Sequence, residues 1–144
     1  MLSQFENCNL CPRKCGVDRT GGKTGFCKMP AQPVVNLIKL HYGEEPIISG
    51  KNGSGTVFFE GCNLGCVFCQ NYSISRGPTE HGTQMNSNSL AEAYLSLRDR
   101  GANNINLVTP MHFAPAVADS IAIAKDKGLD IPVAVNCSGY DLVS

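Results

Sequence analysis

Three cysteines lie within eight residues in the stretch GCNLGCVFCQNY, residues 61–72. Cys62, Cys66 and Cys69 are separated by three and then by two residues. A structural zinc ion normally takes four protein ligands in a closed tetrahedron, so this set is one thiol short. Cysteine thiolates are also the usual ligands of a 4Fe-4S cluster, and three of them leave one iron free to bind amine and carboxylate groups. The triplet therefore predicts a metal centre with an open position.

A second group of cysteines, Cys8, Cys11, Cys15 and Cys27, lies in an N-terminal leader that we place at residues 1–32. The leader has neither a helical nor a strand period and little apolar surface to bury, so we expect a metal to hold it together. The Cys-x2-Cys spacing suits both a zinc ion with four cysteine ligands and an auxiliary iron-sulfur cluster. Both stay open, as does a leader whose thiols are reduced and free of metal.

Composition limits the classes of protein that fit. The 144-residue chain has the size of one domain, and its twelve basic and twelve acidic residues cancel. No overall field therefore draws it to nucleic acid or to an anionic membrane. The start, MLSQFENC, lacks the pattern of a secretory signal, and no stretch approaches the ~20 apolar residues of a membrane span. We expect a cytoplasmic protein, in which eight cysteines serve as metal ligands more often than as disulfides.

The residues after the leader alternate between strand and helix patterns. Residues 33–42 (PVVNLIKLHY) favour an extended strand, and TVFF at 56–59 favours a buried one that runs into the triplet. Ser89 and Glu92 have the spacing of a capping box. Apolar residues at helical spacing follow, and Gly101 ends the predicted helix.

The alternation of strands and helices continues in the second half of the chain. We predict a strand at 104–109 (NINLVT), a helix with Pro115 in its first turn, and a strand at 131–135 (IPVAV). This order implies right-handed crossovers and a parallel sheet. Loops that follow parallel strands meet at the carboxyl edge of the sheet, where ligands bind. We expect the triplet loop to meet there with PMHF at 110–113 and NCSGY at 136–140.

The predicted fold class is α/β. We expect residues 33–144 to form the opening part of a (βα) barrel, with about three parallel strands, preceded by the leader. A closed barrel needs about 200 residues, so the sequence supplies only part of one and we expect a truncated chain. An open three-stranded piece leaves a bare strand edge, which another segment must cover.

The residues around the triplet resemble a known family. Cys62-x3-Cys66-x2-Cys69, with the aromatic Phe68 before the last cysteine, resembles the signature of radical S-adenosylmethionine (SAM) enzymes. The stretches HYGEEPIISG and GSGTVFFEGCNLGCVFCQN are similar to the branch related to pyruvate formate-lyase activating enzymes. The leader, CNLCPRKCGVDRTGGKTGFC, is similar to that of one uncharacterised group in the same branch. The resemblance thus covers nearly the whole chain.

This resemblance implies a function. The triplet cysteines hold a 4Fe-4S cluster, which in its reduced form donates one electron to SAM. SAM is cleaved to methionine and a 5′-deoxyadenosyl radical, and the radical abstracts a hydrogen atom from a substrate. The activating-enzyme branch suggests a protein glycine as that substrate, and a flavodoxin- or ferredoxin-like protein as the electron donor.

The resemblance also implies cofactor contacts. Phe68 is expected to pack near the adenine of SAM. Family members often carry a Gly-Gly-Glu-like motif after the second strand, where this sequence reads TPMH, so Thr109 and His112 are the candidates for contact with the SAM amino group. Asn136 and Ser138 follow the third strand and suit hydrogen bonds to the ribose or the carboxylate, as well as a plain turn.

Two other functions compete with this interpretation. The triplet could belong to a structural zinc site completed by His41, His81 or Cys137, in a chain that serves as a zinc-binding adaptor. The chain could also be a ferredoxin-like electron carrier, although the bacterial ferredoxin run needs a further cysteine that residues 71–73 lack.

Single residues have plain structural interpretations too. Cys137 is expected to pack as a small, half-buried residue. His112 is as typical of the surface or of a helix start as it is of a site. Arg13, Arg19 and the other basic residues of the leader are expected on a solvated face, because the net charge is zero.

Overall fold

A computed structural model describes residues 2–76 and 82–142. These residues form a mixed α/β fold around one open sheet of five strands, in the order β3-β1-β2-β4-β5. The strands are β1 (Val34–His41), β2 (Ser54–Phe59), β3 (Thr83–Gln84), β4 (Ile105–Val108) and β5 (Val133–Asn136). The α/β prediction is therefore confirmed at the level of the fold class.

The strands β2, β4 and β5 are the three that the sequence predicted, and they pair in parallel. The predicted extended segment is β1, which pairs antiparallel with β2, while β3 pairs antiparallel with β1. This antiparallel edge was not predicted. It arises because the segment between β1 and β2 holds only one helical turn, α1 (Pro46–Ser49), and a short connection joins antiparallel neighbours, whereas a parallel pair needs a crossover.

Two long helices, α3 (Ser87–Asp99) and α4 (Ala114–Asp126), follow β3 and β4, and a single turn, α2 (Tyr72–Ser75), follows the triplet. Short 3-10 turns occupy Leu2–Phe5 and Met111–Phe113. As far as residues 2–76 and 82–142 show, no helix combines the length and apolar character that crossing a bilayer requires.

The start of α3 differs from the prediction. Asn86 caps the helix, because its side-chain oxygen accepts the N–H of Ser89 at 2.9 Å. The capping box at Ser89 and Glu92 was therefore wrong, since Ser89 is already the third helical residue. Asparagine is among the best N-caps, which explains the earlier start. Gly101 ends the helix as predicted, with a φ of +90°.

Helices α3 and α4 cover one face of the sheet. The core between them contains Val57, Phe59, Ile105 and Leu107 from the strands, together with buried residues of both helices. The alternate strand positions face the other way. The register places Thr56 of β2 beside Asn106 of β4, and Asn106 beside Ala134 of β5. A cavity of about 330 Å³ opens on this second face, lined by residues of β4, β5 and the α1 segment.

The outer edge of β5 pairs with no strand in the described part of the chain. The strand is only partly buried, and Val135 is exposed at this edge. The expected bare parallel edge is therefore present among the described residues.

Candidate functional site

The loops that follow β2, β4 and β5 meet at the carboxyl edge of the parallel strands, as predicted. His112, after β4, donates its Nε2 hydrogen to the carbonyl of Glu60 at 2.7 Å. Asn63, after β2, donates its side-chain amide to the carbonyl of Tyr140 at 2.8 Å. Hydrogen bonds thus tie the triplet loop to both neighbouring loops.

The three triplet cysteines lie on this edge. Cys62, Cys66 and Cys69 are all free thiols and all half-buried. Cys62 Sγ accepts the backbone N–H of Leu64 at 3.4 Å, and Cys69 Sγ lies 3.3 Å from the hydroxyl of Ser75. Among residues 2–76 and 82–142, no three His, Cys, Asp or Glu side chains already form a metal-holding group. The three thiols are suitable ligands for a metal, but their sulfur atoms would have to move closer together to bind one.

The leader packs directly against the start of the triplet loop. Gly61, immediately before Cys62, has a φ of +75°. A Cβ at Gly61 would stand 2.7 Å from the carbonyl oxygen of Cys27 and would overlap the side chain of Met29. Glycine is required here both by the left-handed backbone and by this close approach.

Arg13 joins the leader to the same loop. Its guanidinium donates to the carbonyls of Asn63 at 3.1 Å and Leu64 at 2.9 Å. It also lies 3.6 Å from the ring centre of Phe26, and Arg76 lies 4.0 Å from that same ring. Phe26 of the leader is therefore held between two guanidinium groups, each of which contributes a favourable cation–π contact.

Arg19 is buried, with 2% of its surface exposed, so its predicted position on a solvated face was wrong. The guanidinium donates to the carbonyls of Met29 at 3.1 Å, Pro30 at 2.6 Å and His112 at 2.7 Å. It also donates to Cys8 Sγ at 3.6 Å. The sequence carries no local signal for this burial, because the partners are carbonyls from distant parts of the chain.

The leader cysteines lie around one small cavity, whose lining also includes Arg19 and His112. Burial raises the pKa of the Cys27 thiol, Arg19 opposes that rise, and the nearby thiols of Cys8 and Cys15 raise the pKa further. Cys8, Cys15 and Cys27 are thus neighbours in space around this cavity.

His112 is fully buried, so the surface position considered for it is wrong. Its Nε2 donates to Glu60, which leaves Nδ1 as the unprotonated nitrogen, and Nδ1 has no partner among the described residues. Burial lowers the pKa of His112 to about 4; the bond to Glu60 opposes this, and the charge of Arg19 adds to it. His112 is therefore neutral at pH 7 and holds the loop after β4 against the end of β2.

This shifted pKa predicts a pH dependence of stability. The unfolded side chain takes up a proton near pH 6.5, whereas the folded one does so only near pH 4. Between these values the unfolded state binds more protons, so the free energy of unfolding falls as the pH is lowered. We expect this residue to contribute a loss of about 2 kcal/mol between pH 7 and pH 5.

Urea unfolding at several pH values measures that loss. Glutamine at position 112 can still donate to Glu60 but cannot take up a proton, so His112→Gln should show a shallower decline between pH 7 and pH 5. Equal declines in the two proteins would contradict the shifted pKa.

The residues implied as SAM contacts are spread over all three loops. Phe68 is 86% exposed on the triplet loop, and Asn136 and Ser138 are exposed at the end of β5. Thr109 has a φ of +57° and donates its N–H to the carbonyl of Asn136 at 2.9 Å. The buried His112 and the Thr109 amide are already engaged in holding the loops together.

The three residues considered as a fourth zinc ligand at the triplet do not complete such a site among the described residues. His41 pairs with Ser54 at the opposite end of β2 from Cys62, so it cannot complete such a site. His81 lies outside the described residues. Cys137 is exposed, and the prediction that it packs half-buried was wrong.

The chain is similar to one curated protein of Methanocaldococcus jannaschii, described as uncharacterized. The two are 42% identical over 72 residues, which are 50% of this chain and 20% of the relative. The matched part thus spans about a fifth of that relative's length. No protein-family model matches the chain, and no solved structure matches it.

Proposed function

We propose that this chain holds the cluster-binding part of a radical SAM protein, with Cys62, Cys66 and Cys69 as the ligands of a 4Fe-4S cluster. The observation that carries the proposal is the position of the triplet, three free thiols on the loop directly after β2. This is the carboxyl edge of the parallel strands β2, β4 and β5, where parallel sheets bind ligands. Three thiols suit a cubane with one open iron better than a closed zinc tetrahedron.

When bound, such a cluster supplies the electron that cleaves SAM to methionine and a 5′-deoxyadenosyl radical. The chain's own groups would tune it. The N–H of Leu64 and the hydroxyl of Ser75 lie beside the sulfurs of Cys62 and Cys69. Hydrogen bonds to cluster sulfurs stabilise their negative charge and thereby adjust the reduction potential. The proposed electron donor is a flavodoxin- or ferredoxin-like protein.

The exposed residues around the triplet are the proposed SAM contacts. Phe68 stands on the same loop as the three cysteines and offers an aromatic face for the adenine. Asn136 and Ser138 lie at the end of β5, where exposed amide and hydroxyl groups can bind the polar parts of SAM. In this proposal Thr109 and His112 position the loop after β4, because they bond to Asn136 and to Glu60 on either side of it.

We also propose that the sheet is the opening part of a (βα) barrel. Helices α3 and α4 cover one face, as the outer helices of a barrel do. The opposite face would line the barrel interior, and the cavity there contains the polar residues Glu44, Asn106 and Asn136. The unpaired edge of β5 is the place where a next parallel strand would add.

The test is anaerobic reconstitution with iron and sulfide, followed by iron and sulfide counts and by assay of SAM cleavage with a chemical reductant. We expect about four iron and four sulfide per triplet site in the wild type. Replacing Cys62, Cys66 and Cys69 together by alanine should remove that iron and sulfide and abolish the formation of 5′-deoxyadenosine.

Cys137→Ala is the matched control, because this free thiol lies at the same edge of the sheet but outside the triplet. It should retain the cluster and its electron paramagnetic resonance signal. Iron and sulfide that persist in the triple-alanine protein with full SAM cleavage would refute the assignment. Zinc without sulfide in the reconstituted wild type would do the same.

A further inference from the structure

A small cavity that the proposed function does not use lies between the leader and the loops after β2 and β4. Its volume is about 20 Å³, and Cys8, Cys11, Cys15 and Cys27 all line it as free thiols. Gly25 makes room for one of them, since a Cβ at Gly25 would stand 2.7 Å from Cys15 Sγ. The backbone thus brings thiols from both ends of the leader to the lining of one cavity.

The backbone beside two of these cysteines is strained. Lys14, next to Cys15, has a φ of +44°, and Lys28, next to Cys27, has a φ of +60°. Left-handed conformations are costly for residues other than glycine and persist where the surroundings demand them, often at functional sites. A turn precedes each lysine, closed by an N–H···O bond of 3.0 Å to the carbonyl three residues earlier. Both turns present a cysteine to the same cavity.

The positive charge around the cavity favours deprotonated, anionic sulfur. Arg19 is buried, and among the described residues its contacts are carbonyls, Cys8 Sγ and the rings of Phe5 and Phe113, with no carboxylate. Burying an unpaired cation is strongly unfavourable. Arg13 lines the same cavity. Four thiolates around a divalent ion carry a net charge of −2, which two guanidinium groups compensate.

We propose that Cys8, Cys11, Cys15 and Cys27 bind a single tetrahedral zinc ion in this cavity. A volume of about 20 Å³ is close to that of one water probe, so the cavity as it stands has room for one ion, whereas a multi-iron cluster would require it to widen. The thiols do not yet form a metal-holding group, and binding draws the four sulfurs to about 2.3 Å from the ion. The four thiol protons leave to solvent as the Zn–S bonds form.

His112 is the one other side chain with metal-ligand chemistry that lines the cavity. Its Nδ1 has no partner among the described residues. Replacing one thiolate by this neutral nitrogen would leave a net charge of −1 beside two guanidinium groups. The four-thiolate set balances the charge better, and Cys8 is already hydrogen-bonded to Arg19. His112 is therefore assigned outside the ligand set.

The zinc content of the protein with alanine at positions 62, 66 and 69 tests this site, because that variant keeps only the leader cysteines and Cys137. We expect about one zinc per chain and no acid-labile sulfide. Changing Cys8 and Cys27 to serine in the same background should reduce the zinc more than about fivefold, while Cys137→Ala should leave it unchanged. Iron with sulfide in the leader, or zinc that survives the serine changes, would overturn the proposal.

Cobalt titration of the same variant gives an answer even if the serine proteins fail to fold. Tetrahedral thiolate-bound Co²⁺ shows charge-transfer bands in the near ultraviolet and strong visible bands, and zinc should bleach both. His112→Gln should leave this spectrum unchanged. A spectrum without charge-transfer bands, or one altered by His112→Gln, would contradict the four-thiolate site. Because the triplet is missing from these proteins, the outcome is independent of the proposed radical SAM function.

Discussion

Replacing Arg19 by methionine should lower the free energy of unfolding by about 4 kcal/mol. Methionine keeps much of the apolar packing but none of the hydrogen bonds. The carbonyls of Met29, Pro30 and His112 then lose the donor they share. Each unpaired buried polar group costs about 1–3 kcal/mol, and partial relaxation places the sum near the stated value. Urea unfolding under reducing conditions measures it.

Arg100→Met is the matched control, because this exposed arginine follows α3 and makes no side-chain hydrogen bond within the described residues. A surface change of this kind is expected to stay within about 0.5 kcal/mol of the wild type. Similar losses from Arg19→Met and Arg100→Met would mean that the buried guanidinium does not hold the leader to the loop after β4.

Replacing Gly61 by alanine should lower the free energy of unfolding by about 3 kcal/mol. A left-handed conformation costs a residue with a Cβ about 1–2 kcal/mol. The new methyl group must also displace the Cys27 carbonyl and the side chain of Met29, and overpacking of this kind adds about 1–3 kcal/mol. Because Gly61 directly precedes Cys62, we also expect weaker retention of the proposed cluster after reconstitution.

Gly139→Ala separates the two costs. Gly139 has a φ of +69°, close to that of Gly61, but a Cβ there would meet nothing within 4 Å. We expect it to lose only the conformational part, about 1–2 kcal/mol. If Gly61→Ala and Gly139→Ala lose the same free energy, then the leader does not press on the triplet loop as the structure shows.

The elements with strong local patterns could be predicted from the sequence. These patterns depend only on residues close together in the chain. They are the apolar runs of β2, β4 and β5, the helical spacing of α3 and α4, and the glycine, Gly101, that ends α3. The start of α3 was misplaced because Ser89 and Asn86 both have capping side chains. The sequence pattern alone does not show which of two such residues is the N-cap.

The partners of β1 and the burial of Arg19 could not be predicted in the same way. Both depend on residues distant in the chain, since β1 lies between β2 and β3, and Arg19 bonds to a carbonyl after β4. The exposed position of Cys137 likewise follows from its place at the end of the edge strand β5, where no neighbouring strand covers it.

The sequence by itself determined which side chains of this protein could bind a metal, and the order β2, α3, β4, α4 and β5 along the chain. The spacing of Cys62, Cys66 and Cys69 and the strand before them are local properties, fixed by side-chain type and backbone preference. Only the tertiary structure decided that the four leader cysteines surround one cavity and that Arg13 and Arg19 join the leader to the strand-end loops. The reason is physical: metal ligands and buried charges are completed by groups that meet only when the chain folds, and no local pattern records which groups those are.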